Sequence, residues 1–163
     1  MIDLQLVLLD GGLLTLVSAV FIGATIWWKP RLWLQDFPPD LRAALPPKTA
    51  EERRLTALVA TPWFIVLFGG LGATAARFGT AHGYPAMALH VYLVWLMFNL
   101  FDLLVIDWLG MHLVDPDDPP FEGTAGLAGY RDYRFHAVGF AKGSVMGLGV
   151  AAVIAGVVWW WLP

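Results

Sequence analysis

Apolar residues in this chain fall in long runs, without the two-residue alternation of a strand or the one-sided stripe of a soluble amphipathic helix. A membrane-crossing helix needs about 20 largely apolar residues. Four segments reach that length, at residues 5–28, 55–77, 86–112 and 135–161. The pattern predicts an all-α protein, a four-helix transmembrane bundle forming one integral membrane domain over residues 1–163. No Lys or Arg precedes the first run, "MIDLQLVLLDGG", so it reads as a retained span rather than a signal peptide.

The polar connections carry their own signals. In "KPRLWLQDFPPDLRAALPPKTAEERR", Pro38 and Pro39 suit a helix start and Pro46 and Pro47 a stop. Between them "PDLRAAL" predicts a short interfacial helix with Leu41, Ala44 and Leu45 on its apolar side. "TAEE" is a capping box, Thr49 capping and Glu52 reaching back, so the second long helix should begin near residue 50. Pro62 should bend that helix, and the "GGLG" at 69–72 thins its far half for close packing.

Composition sharpens the class. Of 163 residues 58% are hydrophobic and 14% charged, and nine are Trp. A soluble domain carries about 25% charge, so much of this apolar surface must face lipid. The absence of Cys excludes disulfides, thiolate metal ligands and cysteine catalysis. No basic run interleaved with aromatics points to nucleic acid. Lys29, Arg31, Arg42, Lys48, Arg53, Arg54, Arg131, Arg134 and Lys142 fall on one side and Arg77 alone on the other. Those two connections should then be cytoplasmic, with both termini outside an inner (plasma) membrane. Trp27, Trp28 and Trp159 to Trp161 fall where interfacial anchors belong.

Against this background the polar residues inside the spans stand out. "NLFDLLVIDW" carries Asn99, Asp102 and Asp107, and the fourth span opens with His136 and Lys142. At 1.5 Å rise per residue, Asp107 lies ~5 Å and Asp102 ~12 Å from the cytoplasmic boundary, with Lys142 ~10 Å deep. The depths match Asp102 with Lys142 and Asp107 with His136. Charges facing lipid cost a few kcal/mol, so the third and fourth spans should pack together with these groups turned inward. The Gly139, Gly143, Gly147 row lets a backbone approach closely, either within the chain or in a homo-oligomer.

Candidate chemistry follows from this cluster. Asp107 and His136 are candidate acid–base residues with Asp102 orienting them, and Asn99, Lys142, Arg134 and Tyr133 are candidate ligand contacts. A divalent metal would find His112, Asp107, Glu122 and His136 as candidate ligands, although the spacing matches no metal motif. Haem is disfavoured, because His90 and His136 belong to opposite membrane faces and His112 is too shallow. Near the outer boundary Asp10 can reach Arg77 or His90, and a partly hydrated interfacial position is expected for them.

"YRDYRFHAVGFAKG", following the acidic "DWL" helix end and "PPFEGTAG", resembles a pattern in small uncharacterised bacterial four-span integral membrane proteins. "DFPPDLRAALPPKTAEERR" is similar to their first inner loop. The resemblance implies four helices and transfers no functional residue. Three function classes remain: a site in the cytoplasmic half that binds or acts on a lipid headgroup or small polar ligand, a small oligomeric proton- or cation-coupled transporter or channel, and a structural or accessory membrane subunit.

Overall fold

A computed structural model describes residues 2–115 and 117–162. It is an all-α four-helix bundle. Helix α1 spans Leu4–Trp28 and leads through a 3-10 turn, Pro30–Asp36, into the short α2, Pro39–Ala44. Helix α3 runs over Ala50–Phe78 and α4 over Tyr84–Phe101. The third crossing then continues as a π-helical segment, Asp102–Leu109, into the single turn α5, Gly110–Leu113. Helix α6, Tyr133–Trp161, makes the fourth crossing. All four crossings are long and apolar enough to span a bilayer, the hallmark of a multi-pass membrane protein.

Local chemistry explains the element ends. Thr49 Oγ1 accepts from Glu52 N at 3.1 Å while Glu52 Oε2 accepts from Thr49 N at 2.7 Å, the reciprocal cap expected from "TAEE". Asp3 caps α1 by accepting from Gln5 N and Leu6 N, and Asp132 caps α6 by accepting from Phe135 N. Gly79 and Gly83 adopt φ of 76° and 83°, and these two left-handed residues turn α3 tightly into α4. Pro62 lies inside an α3 that remains one helix, with its ring on the exposed side.

Helix α4 is the centre of the bundle, packing on α6, α1 and α3. Its Met87, Val91, Val94, Trp95 and Phe98 form the core with Leu14 and Ile22 of α1, Leu67 and Leu71 of α3, and Ala151 and Ala155 of α6. The outward faces remain apolar: Leu8, Leu13, Leu16 and Val20 on α1, Ile65 on α3, and Val145 and Val153 on α6 are all exposed. An apolar surface this continuous suits lipid rather than water. Trp27, at 92% exposure, and Trp160, at 82%, project from the helix ends.

The two polar connections do not hang free. Leu34, Leu41, Phe121 and Tyr130 form a second buried cluster, with Phe37 packed edge-on to Phe121 at 5.0 Å. Asp40 Oδ2 accepts from Gly129 N at 2.7 Å, and Thr124 Oγ1 lies 2.8 Å from Tyr130 Oη. Arg131 donates to the carbonyls of Met111, Tyr130 and Val114, fixing this cap to the end of the third crossing. We call this the capped end, and the end carrying both termini and the Gly79–Gly83 turn the terminal end. Leu41 is fully buried as its apolar position predicts, whereas Ala44 is exposed, because α2 is only six residues long and packs one side against the second connection.

Candidate functional site

The third and fourth crossings pack directly on each other. Trp95 Nε1 donates to Gly143 O at 3.0 Å, and Trp108 Nε1 to Tyr133 O at 3.2 Å. Asn99 Nδ2 donates to Phe140 O and Ser144 Oγ, both at 3.0 Å. Gly143 and Gly147 face Asn99 and Trp95 with no room for a methyl group, while Gly139 faces open space. Two of the three glycines in the row are therefore covered inside the chain. Asn99, expected as a ligand contact, is committed to this helix joint.

At the capped end His136 Nδ1 and Asp107 Oδ2 are 2.9 Å apart, the pairing anticipated from their depths. The His136 side chain is nearly buried, at 10% exposure, and Asp107 is at 26%. The π segment contributes to this placement. Gly110 N–H reaches the carbonyl of Val105, five residues back. Five residues on an α-helix leave two side chains about 140° apart, whereas π hydrogen bonding brings them closer to one face. Asp102 and Asp107, five apart, are accordingly both half-buried while Leu104, Val105 and Leu109 take the exposed face.

Lys142 does not pair with Asp102. It lies six residues beyond His136, about 240° round the helix, and is exposed on the face of α6 turned away from α4. The depth was matched correctly but the azimuth was not. Arg134 lies on Lys142's side, so these two candidate ligand contacts and the Asp107–His136 pair occupy different faces of α6. Tyr133 stacks edge-on against Trp108 at 5.9 Å and supplies a carbonyl rather than a ligand contact.

The acidic partner that sequence reasoning missed is Asp36, at the end of the first 3-10 turn. Asp36, Asp102, Asp107 and His136 lie near enough to feel one another's charge. Asp36 is exposed on one side, yet the protein atoms crowded around it desolvate the carboxyl and push it above the usual range. The 2.7 Å hydrogen bond from Gln35 and the charge of Lys48 pull it back, while Asp107 adds to the rise. Lys48 Nζ is itself held by Leu32 O at 2.6 Å and Thr56 Oγ1 at 3.2 Å, and its burial lowers the ammonium below the usual lysine range. Among the described residues the Asp102 carboxylate has neither an ion pair nor a hydrogen bond. No local signal marks Asp36, because its placement depends on the 3-10 turn packing against α1 and α3.

Of the metal candidates, only Asp107 and His136 meet. His112 and Glu122 are exposed on the cap, and among the described residues no three His, Asp or Glu side chains group as ligands of one ion.

A second polar cluster lies toward the terminal end and is more buried than expected. Asp10 Oδ1 accepts from Arg77 Nη1 at 2.7 Å, and Asp10 Oδ2 lies 3.3 Å from His90 Nε2. The His90 side chain is fully buried and Asp10 is 5% exposed, where a hydrated interface was anticipated. Phe78 stacks on the His90 ring at 4.7 Å, and the close packing of α1, α3 and α4 excludes water from the site.

Comparison with protein-family models, with curated proteins and with solved structures gives no match.

Proposed function

We propose that the Asp36, Asp102, Asp107 and His136 cluster binds a small cationic group of the ammonium type and exchanges a proton with it. The charge balance carries this reading. Three carboxylates face one imidazole and one neighbouring lysine, and among the described residues Asp102 forms no ion pair or hydrogen bond. Among the described residues no three of these side chains group as ligands of one metal ion, and the excess of carboxylates suits an organic cation. Asp107 orients the His136 ring through Nδ1 and leaves Nε2 to accept or return a proton. The excess of Lys and Arg at this end argues for a cytoplasmic position, with both termini outside the plasma membrane.

The ammonium can come from a soluble amine or from an amine lipid headgroup. Isothermal titration of ethanolamine into protein in phosphatidylcholine nanodiscs tests the first source. Lipid retention by native mass spectrometry, phosphatidylethanolamine against phosphatidylcholine, tests the second. Asp102→Asn and Asp107→Asn should each weaken whichever binding is seen by about tenfold, as expected for the ~1.5–3 kcal/mol of a hydrogen bond to a charged group. Indifference of both variants, or no preference in either arm, refutes the reading.

A proton-transfer role is the second reading, favoured by the buried Asp10 and His90 at the other end of α4. Between the two clusters the buried positions of α4 are Val91, Val94, Trp95 and Phe98, an apolar layer that favours binding over transport. Proton flux into proteoliposomes that is abolished by Asp102→Asn would reverse that preference.

A further inference from the structure

The lipid-facing side of α6 carries a feature that the carboxylate cluster does not use. Arg134, Val138 and Lys142 recur every fourth residue and form one stripe, with Phe135 and Gly139 beside it. They line a shallow groove of about 370 Å³, closed at its lower edge by Pro39 of α2 and by Asp132. Both cations are exposed, and among the described residues neither forms an ion pair or hydrogen bond. Asp132, whose Oδ1 accepts from Phe135 N at 2.9 Å, sets one carboxylate against two cations and leaves the groove net positive. Lys142 lies two helical turns, ~12 Å, farther into the bilayer than Arg134. A lysine at that depth without a carboxylate must extend back toward the interface. Doing so brings its ammonium toward the Arg134 guanidinium, and two like charges then converge on one groove.

Above the cations the same side becomes apolar and smooth. Val145 and Met146 are exposed, and a methyl group at Gly149 would meet nothing within 4 Å. The face therefore offers a cationic foot and a flat apolar track at the depth of one leaflet. Its charge complements a phosphate, and its track suits an acyl chain.

We propose that this groove is a binding site for an anionic glycerophospholipid, the headgroup phosphate held between Arg134 and Lys142 and one acyl chain laid over Val145, Met146 and Gly149. None of the four residues of the carboxylate cluster lines this groove, and the proposal does not depend on the reading given above.

Native mass spectrometry of the full chain, with phosphatidylglycerol and phosphatidylcholine in competition, tests it. The wild-type protein should retain phosphatidylglycerol preferentially. Arg134→Ala and Lys142→Ala should each lower that preference about fivefold, the worth of one basic residue beside an anionic lipid surface. Lys142→Arg should keep it. Arg42→Ala, which removes an exposed cation from α2, should leave it unchanged, as should Asp102→Asn. Equal losses from Arg42→Ala and Lys142→Ala would show general surface attraction and overturn the site. So would a Lys142→Ala protein that retains the wild-type preference. If Lys142→Ala does not fold, Lys142→Gln preserves the length of the side chain and makes the same test.

Discussion

Adding one methyl group at successive glycines of α6 should separate internal packing from any contact made outside the chain. At Gly143 a β-carbon would lie 2.8 Å from Asn99 Oδ1 and 3.3 Å from Nδ2. Asn99 cannot retreat without giving up its 3.0 Å bonds to Phe140 O and Ser144 Oγ. Overpacking of this kind costs ~1–3 kcal/mol, and a weakened interhelical hydrogen bond adds about 0.6 kcal/mol. At Gly139 the same carbon meets nothing within 4 Å. Both substitutions gain the same helix propensity, ~1 kcal/mol for Gly to Ala, so it cancels in their difference. Gly143→Ala should therefore be less stable than Gly139→Ala by about 1–3 kcal/mol, and Gly147→Ala, pressed on the Trp95 indole, should behave like Gly143→Ala. Dodecyl sulfate unfolding in mixed micelles, followed by tryptophan fluorescence, measures the difference. A Gly139→Ala protein as unstable as Gly143→Ala would mean that α6 is turned differently, and the pairing of the third and fourth crossings would fall with it.

Other consequences are as direct. Arg77→Ala strands the buried Asp10 carboxylate beside His90 and should lower stability more than Asp10→Asn does; loss of one partner from a buried pair costs ~3–5 kcal/mol, less here because Arg77 is half exposed, and the double variant should recover part of it in the same unfolding assay. Gly129→Ala would place a carbon 2.8 Å from Leu41 and 3.0 Å from the Asp40 carboxyl carbon, so limited proteolysis should cut the 112–132 connection faster than in the wild type. The raised carboxyl of Asp36 means that the folded chain holds that proton more tightly than the unfolded chain does. Its contribution is then fully present below the ordinary carboxylate range and lost as pH rises through the folded value, so Asp36→Asn should raise thermal stability at neutral pH and have little effect in acid. A thermal-shift series across pH reads the convergence, and a uniform offset at all pH values would contradict the assignment.

How much was legible depends on whether a property belongs to one helix or to a pair. The four spans, the Thr49 cap and the Trp anchors are written in local composition and were read directly. Depth is also local, since it needs only a rise per residue, and it matched Asp107 with His136. Azimuth is where the reading failed. Lys142 has the right depth for Asp102 but the opposite face, and Asn99 turned out to tie helices rather than wait for a ligand. The π segment could not be seen either, because Asp102–Leu109 has no residue that forces five-residue hydrogen bonding. Asp10 and His90 each lie near a helix end, which predicts hydration, yet three helices close over them. Asp36 became visible only when the 3-10 turn folded back, a long-range event with no local code.

The small core at the capped end also bears on biogenesis. The Asp40–Gly129 bond joins positions 89 residues apart, one from each polar connection. The first two crossings can enter the bilayer as a hairpin long before its partner residues leave the ribosome. Until the second connection arrives, Leu34 and Leu41 have no cover. Closure of this core therefore comes late, once both connections are present at the same end of the bundle.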